Sequence, residues 1–289
     1  MNTDKHRFLK SSVKTRVSSV ANKKFVQFVI KILFLNVYNN ERTEQMGRQI
    51  RHLDISTMER VQRYKEFYGG CVSDALAGLG VTNSVLSSEF YALRQDMILA
   101  GEAITIKLHS LAGEIMTPEE QKARDEEWNR IGSPQKRMMR SVYQGSVLVF
   151  DTGGDKQPAH FGEMSCTLAK AHGCVGMLIE GNIRDTRYVL KMEDFPVYTT
   201  GTRPNAFGGW RITHVQQPIF LPGHLTHYVR INPGDFIFGD TDGVQIIPKE
   251  YVDEVMLVCE DIMTKENEER RLIREGMPID EVYRIYGDL

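Results

Sequence analysis

Apolar residues along this chain recur with two different periods, one typical of helices and one typical of strands. Over residues 54–68 they recur every three or four positions, which predicts an amphipathic helix capped by Ser56 or Thr57. Residues 251–274 show the same helical period. Over residues 97–108 apolar and polar residues alternate, which predicts a strand. The pattern therefore predicts both helices and strands.

Shorter stretches add further predicted elements. Gly69 and Gly70 are expected to break the first helix, and Asp74 is expected to cap a short second helix. A final short helix is predicted near the C-terminus, at residues 279–286. Further strands are predicted at residues 175–179, 195–200 and 213–221.

Residues 109–143 are dominated by charge and contain the sequence TPEEQKARDEEWNRIGSPQKRMMRS. This stretch is predicted to be helical, with Thr117 as the N-cap and Pro118 at the first helical position. The simplest interpretation is a solvated surface helix. A lid, or an arm between subunits, is the alternative.

Residues 159–189 are the stretch around which the rest of the chain is organised. Gly162 is predicted to open a helix that ends at Gly173, which stands where a C-terminal capping glycine is expected. A short apolar run then predicts a buried strand, and Gly181 and Asn182 are expected to turn the chain after it.

Arg184 and Asp185 follow the predicted end of that strand. Ligands of open α/β sheets bind beyond the carboxyl ends of the strands, so this pair and the helix N-terminus at residues 162–165 are expected to face one crevice. The helix start offers N–H groups to an anion, Arg184 offers a fixed cation, and Asp185 offers a carboxylate to a metal. The ordinary alternative is that Asp185 caps the next helix and that Arg184 is a solvated surface charge.

The spacing of these residues resembles the signature of a known family. Glu163, twenty intervening residues and then Arg184-Asp185 resemble the acid-x20-Arg-Asp pattern of the RraA-like family. That family contains the 4-hydroxy-4-methyl-2-oxoglutarate / 4-carboxy-4-hydroxy-2-oxoadipate aldolases and the regulator of ribonuclease E activity A. The likeness continues in order from about residue 54 to the C-terminus. The segments that carry it are residues 72–80, 101–105, 145–151, 195–202, 233–235 and 239–244.

The resemblance implies an α/β fold, a three-layer αββα sandwich. It divides the chain into a basic N-terminal extension (residues 1–45), a catalytic domain of the family (46–250) and a C-terminal helical extension packed on the same domain (251–289). It also implies a homotrimer or homohexamer with sites between subunits.

The resemblance further implies a divalent-metal-dependent lyase. Such a class II pyruvate aldolase cleaves 4-hydroxy-2-oxo acids to pyruvate through a metal-stabilised enolate, and decarboxylation of oxaloacetate through the same enolate is a further expectation. Asp185 is expected to hold Mg²⁺ or Mn²⁺. Arg184 is expected to stabilise charge on the substrate oxygen, and Glu163 to orient a water that acts as the base. The residues expected to bind substrate are Gly162, Glu163, Met164, Ser165 and Arg184.

Two positions depart from the family pattern. Many members carry an acid three residues after the signature aspartate, where this chain has Tyr188, and the best-known aldolases have Asp where this chain has Glu163. Either change could alter specificity or mark a member without aldolase activity. The alternative function is therefore a non-catalytic regulator or binding protein that acts through protein partners.

Charge is distributed unevenly along the chain. Residues 1–40 hold eight Lys or Arg and one Asp, so the other 249 residues hold 28 basic and 37 acidic residues. An acidic body argues against a nucleic-acid groove, which would need a basic stripe. The four cysteines show neither a CxxC pair nor the spacing of a disulfide framework, which favours buried thiols in a reducing, cytoplasmic compartment.

The N-terminal extension has three open interpretations. Its apolar run FVQFVIKILFLNVY, residues 25–38, is interrupted by Gln27 and Lys31 and is too short for a transmembrane segment. It could be a targeting or membrane-surface segment, a helix that docks on the body or on a partner subunit, or a stretch missing from the mature protein.

Two further pairs of polar residues are weaker candidates for chemistry. His224 and His227 are predicted to lie three positions apart in an extended segment, where they would point to opposite faces and share no metal. Asp240 and Asp242 are predicted to form a turn, with an acid that reaches a neighbouring site as the second interpretation.

Overall fold

A computed structural model describes residues 50–110, 117–206 and 210–287. Residues 50–289 group into one compact unit. The predicted extension at residues 1–45 and its apolar run lie outside the described residues. No helix in the described ranges is long and apolar enough to cross a membrane.

Helices and strands are both present, which confirms the predicted α/β class. The helices are α1 (Thr57–Tyr64), α2 (Gly69–Gly78), α3 (Pro118–Ile131), α4 (Pro134–Arg140), α5 (Glu163–Ala171), α6 (Thr186–Val189), α7 (Val252–Arg274) and α8 (Ile279–Tyr286). A 3₁₀ turn, Lys249–Tyr251, leads into α7. The strands are β1 (Tyr91–Ala92), β2 (Leu99–Ser110), β3 (Ser146–Asp151), β4 (Ala159–Phe161), β5 (Cys174–Ile183), β6 (Val197–Thr202), β7 (Trp210–Val215), β8 (Ile219–Pro222), β9 (Tyr228–Ile231), β10 (Phe236–Asp240) and β11 (Gly243–Ile247).

The central part of the main sheet is parallel. Its strands follow the order β1-β6-β5-β3-β2-β10-β11, with β4 paired to β5 and β7 paired to β2. Neighbours β2, β3, β5 and β6 run parallel, whereas β1, β7, β10 and β11 pair antiparallel. Strands β8 and β9 form a separate antiparallel ribbon. The carboxyl ends of β2, β3 and β5 therefore meet at one edge of the sheet.

Alternate residues of β2 face different layers. Ile104, Ile106 and Leu108 pack in a cluster with α4, α5 and α6, whereas Leu99 and Ala103 pack in another with the β8–β9 ribbon. A third cluster joins α1, α2 and α7 to Ala100 and β10. This alternation follows from the two-residue period of a strand, and it places helices outside stacked layers of strands.

Long-range polar contacts hold the first two helices in place. The Ser56 side chain caps α1, as predicted, and Arg60 donates to the buried Asp253 of α7 at 2.6 Å. The predicted role of Asp74 is wrong, because α2 already begins at Gly69 and Asp74 lies inside it. The Gly69 N–H instead donates to the Asp240 carboxylate at 2.6 Å, so the turn that contains Asp240 supplies the cap.

Two predicted strand boundaries also differ. Strand β5 does not turn at Gly181 and Asn182 but continues to Ile183, with an irregular register against β6. The single strand predicted at residues 213–221 is divided into β7 and β8. The break contains Gln216, whose φ of +58° is left-handed, and Pro218, which has no N–H to donate to a ladder.

Candidate functional site

Arg184 and Asp185 lie directly beyond β5, against the start of α5. A Cβ atom added to Gly162 would lie 2.5 Å from Asp185 Oδ2 and 3.1 Å from Arg184 Nε. Arg184 Nε is itself 3.4 Å from Asp185 Oδ2. These three residues therefore lie against one another, and a side chain at position 162 would force the Asp185 carboxylate to move.

The side chain of Asp185 does not cap the helix that follows it. Asp185 has a left-handed conformation, φ +58° and ψ +28°, which Asp tolerates better than most residues. It occupies the N-cap position of α6, yet its side chain accepts no capping hydrogen bond and is 45% exposed. Asp185 is therefore the N-cap residue of α6, as the alternative predicted, but its carboxylate makes no capping hydrogen bond and remains exposed.

The first turn of α5 offers fewer N–H groups than the sequence predicted. The Ser165 N–H donates to the Gly162 carbonyl oxygen at 3.1 Å, which leaves the Glu163 and Met164 N–H groups for an anion. Thr167 donates to the Glu163 carboxylate at 2.6 Å, so this acid is held along its own helix. The Met164 side chain is exposed.

A cleft of about 290 Å³ opens beside this helix start. It brings together the predicted residues Gly162, Ser165 and Arg184, whereas Glu163, Met164 and Asp185 lie outside its lining. The full lining is Arg124, Gln135, Ala159, His160, Phe161, Gly162, Ser165, Arg184, Ala206 and Trp210. Arg124 and Gln135 come from α3 and α4, so the charged stretch forms part of a cleft wall.

His160 is a buried residue of this wall that sequence reasoning missed. Its Nδ1 accepts from the Asn182 N–H at 3.3 Å, and its Nε2 lies 3.5 Å from Asp155 Oδ2. Gly181, with φ +144°, packs so closely that a Cβ atom there would lie 2.6 Å from His160 Nδ1. Burial lowers the pKa of His160 despite the nearby Asp155 carboxylate. Burial therefore favours the neutral form of the imidazole, and Gly181 leaves room for its ring.

This lowered pKa predicts a pH-dependent stability. The unfolded chain binds a proton at His160 near its ordinary value of about 6.5, whereas the folded chain binds it only at lower pH. Stability is therefore expected to fall as the pH is lowered below that value. The free energy of unfolding in urea, measured at a series of pH values, should lose this component in His160→Gln. An unchanged pH dependence in the variant would contradict the assignment.

A second polar cluster, which no sequence motif predicted, lies at the carboxyl ends of β2, β3 and β5. Lys107 donates to the buried Asp151, and the buried Glu180 accepts from the Thr152 N–H at 2.9 Å. Burial, together with the charge of Asp151, raises the pKa of Glu180. The side chains of Lys107, Asp151 and Glu180 line a wider cleft, of about 870 Å³, beneath the β8–β9 ribbon.

The other weak candidates are placed as follows. His224 and His227 lie in the exposed turn between β8 and β9, not in the extended segment predicted for them. Asp240 caps α2 and also accepts from the Asp242 N–H at 3.0 Å, which confirms its predicted place in a turn.

Among the described residues, no three His, Cys, Asp or Glu side chains converge as a metal cluster. All four cysteines are buried free thiols, as predicted.

Comparison with known proteins gives one family for most of this structure. The RraA-like model, described as Aldolase/RraA, matches residues 70–246. A relative from Halalkalibacterium halodurans, named "putative 4-hydroxy-4-methyl-2-oxoglutarate aldolase", is 32% identical over 189 residues, which are 64% of this chain and 75% of that protein.

Solved structures show the same fold. One described among novel cellulases from microbes associated with the gut ecosystem is 29% identical, with a TM-score of 0.63 over 77% of this chain and 91% of its own. Another, RraAS2 of Streptomyces coelicolor, is described as an unusual member of the RNase ES inhibitor RraA protein family. It is 22% identical, with a TM-score of 0.57 over 76% of this chain and 99% of its own.

Proposed function

Because the chain belongs to the RraA-like family, we propose that it is a divalent-metal-dependent lyase that cleaves 4-hydroxy-2-oxo acids to pyruvate. The observation that carries the proposal is the position of Arg184 and Asp185 against Gly162. A guanidinium cation, the exposed carboxylate that pairs with it at 3.4 Å, and a helix N-terminus lie within contact distance there. This combination suits a small carboxylic acid on which negative charge develops during the reaction.

The residues present fit a divalent cation held largely through water. Asp185 offers one exposed carboxylate with no capping bond, and Mg²⁺ commonly uses one or two carboxylates while keeping several waters. When bound, Mg²⁺ or Mn²⁺ supplies Lewis-acid stabilisation of negative charge.

The protein's own groups would then bind the substrate, stabilise charge and remove a proton. The Glu163 and Met164 N–H groups bind the substrate carboxylate, since they have no acceptor within the first turn. Arg184 places a permanent positive charge beside the 2-oxo oxygen, where negative charge develops as the carbon–carbon bond breaks. Glu163, held by Thr167, orients the water that takes the hydroxyl proton.

We also propose a homotrimer or homohexamer in the cytoplasm. Exposed apolar side chains surround the candidate site on α5 and at the end of α6, as expected of a surface that a neighbouring subunit covers. They are Met164, Leu168, Tyr188 and Leu190. The four free thiols suit a reducing compartment.

A non-catalytic regulator is the second candidate. Tyr188 is 59% exposed, and Lys191 Nζ lies 5.5 Å from the centre of its ring, at the position where many family members carry an acid. An aromatic surface beside the site favours contact with a protein partner over orientation of water.

The experiment that separates the two candidates is a pyruvate assay. We expect pyruvate to be released from 4-hydroxy-4-methyl-2-oxoglutarate, and also from oxaloacetate, with Mg²⁺ or Mn²⁺ present. Excess chelator should remove this activity, and added metal should restore it. A well-folded protein that releases no pyruvate from either compound would contradict the lyase proposal and favour the regulator.

A further inference from the structure

The wider cleft is lined by a row of polar side chains from the neighbouring strands β7, β2, β3 and β5. Lys107 of β2 lies directly opposite Asp151 of β3 and His214 of β7. Glu180 of β5 comes next to Asp151, because the residues before them, Phe150 and Ile179, are paired. Residues that lie opposite each other in a sheet share one face, and all four side chains of this row line the same cleft.

The acidic half of the row is buried and already bound. The Asp151 side chain is only 3% exposed and accepts from Lys107 and from the N–H groups of Gly153, at 2.9 Å, and Phe220, at 3.2 Å. Glu180 is also buried and accepts from a backbone N–H. These two carboxylates therefore hold the loop after β3 in place and offer little surface to a ligand.

The basic half of the row is open to the cleft. The Lys107 side chain is 35% exposed, and within the part of the chain that the structure describes its ammonium group donates only to Asp151. Two of its three N–H donors therefore remain. His214 is exposed, and its Nδ1 lies 3.1 Å from Thr213 Oγ1, so Nε2 is available as a donor when Nδ1 accepts. Two adjacent nitrogen donors at the mouth of a cleft favour a negatively charged ligand.

Aromatic side chains form another part of the cleft wall. Phe220 and Tyr228 both line the cleft and are 49% and 60% exposed. The Phe220 N–H donates to one oxygen of the Asp151 carboxylate, and Lys107 donates to the other. One buried carboxylate thus links the cationic group to the aromatic strand of the β8–β9 ribbon. Exposed rings in a cleft offer a flat apolar surface to a ligand.

This cleft is separate from the one beside Arg184. The two clefts have no lining residue in common. The volume of about 870 Å³ lies in the range of pockets that bind small molecules. A ligand of the wider cleft is therefore expected to bind independently of the proposed lyase site.

We propose that the wider cleft binds an aromatic monocarboxylic acid. Its carboxylate lies between Lys107 and His214, and its ring packs against the two exposed aromatic side chains of the ribbon. A single negative charge suits the site, because the two buried carboxylates of the row would repel a second one.

Two ligands of nearly the same shape test this assignment. 2-Naphthoate carries the carboxylate, whereas 2-naphthamide is uncharged. In calorimetric titrations of the full-length protein with chelator present, 2-naphthoate should bind about 10- to 100-fold more tightly, as expected for charge-assisted hydrogen bonds. Lys107→Met should remove this preference, and His214→Gln should reduce it at least about threefold. Tyr228→Ala should instead weaken both ligands alike, by about three- to tenfold.

Two variants serve as controls. His227→Gln removes a histidine from the exposed turn of the same ribbon, outside the cleft lining, and should leave the preference intact. Arg184→Ala removes the cation of the other cleft and should leave the affinity for 2-naphthoate unchanged. His214 and Tyr228 are exposed, so their variants keep the test decisive even if Lys107→Met leaves Asp151 without its cation and fails to fold.

Several outcomes would overturn the assignment. They are failure of 2-naphthoate to bind the wild-type protein, equal binding of the two ligands, an unchanged preference in His214→Gln, and an equal loss in His227→Gln. Loss of 2-naphthoate binding in Arg184→Ala would place the carboxylate in the other cleft and would also overturn it. Pyruvate release is not measured, so none of these results bears on the proposed lyase activity.

Discussion

Replacing Asp185 is expected to abolish metal-dependent pyruvate release while leaving the fold and the assembly intact. Asp185→Ala removes the one exposed carboxylate that lies against Gly162 and Arg184. A loss of about 4 kcal/mol of transition-state stabilisation corresponds to about a thousandfold lower rate. The side chain makes no capping bond, so the stability cost should be limited to the strain of alanine in the left-handed backbone, about 1–2 kcal/mol.

Asp185→Asn is the sharper variant, because Asn tolerates the left-handed backbone at φ +58° and keeps the size of the side chain. It removes only the negative charge. Pyruvate release should be measured across a range of Mg²⁺ concentrations, together with the melting temperature and the size of the assembly.

Asp194→Asn provides a matched control for this experiment. Asp194 also has a left-handed backbone, at φ +50°, and is 84% exposed, but it pairs with Lys65 away from the cleft. Its replacement should leave the activity unchanged. Full activity in both Asp185 variants would remove Asp185 from the metal site.

Gly162→Ala is expected to lower pyruvate release at least about a hundredfold, as measured by kcat/KM, without unfolding the protein. The added methyl carbon would lie 2.5 Å from Asp185 Oδ2, well inside van der Waals contact, so the Arg184–Asp185 pair must move. A displacement of about 1 Å at a reacting centre can cost a hundredfold in rate. The φ of Gly162 is −142°, which alanine adopts without strain.

Gly78→Ala separates this local effect from any general effect of adding a methyl group. A Cβ atom at Gly78 meets nothing within 4 Å, and the residue lies in the last turn of α2. The control should keep full activity and gain up to about 1 kcal/mol of stability, since alanine is favoured over glycine in helices. Unaltered kcat/KM in Gly162→Ala would show that the pair is not held as tightly as this contact requires.

Local sequence signals were reliable where neighbours along the chain determine the structure. The N-cap at Thr117, the cap at Ser56 and the final helix Ile279–Tyr286 all lie where the sequence placed them. Such features depend on residues within one or two turns, so a single sequence contains the necessary information.

The predictions made from the sequence fail where a residue far along the chain makes the contact that was expected from a neighbour. Asp74 is not a cap, because the carboxylate of Asp240 reaches the start of α2 from a turn far along the chain. Gly181 lies inside β5 and not in a turn, and its missing side chain leaves room for the ring of His160. Neither contact can be inferred from the residues beside Asp74 or Gly181.

Some residues of the candidate site could be predicted from the sequence, and others could not. The sequence alone identified Arg184, Asp185 and Gly162, since the order of helix, strand and polar pair places them at one strand end. It missed Arg124 and His160 as residues of the cleft, and it missed the cluster of Lys107, Asp151 and Glu180.

The sequence by itself therefore determined the α/β class, the family signature and the residues at the end of β5. The tertiary structure decided which charged side chains share a cleft, which carboxylate caps a helix and which one stays exposed. The physical reason is that periodicity and capping act over a few residues, whereas burial, pKa shifts and clefts arise where separate segments meet.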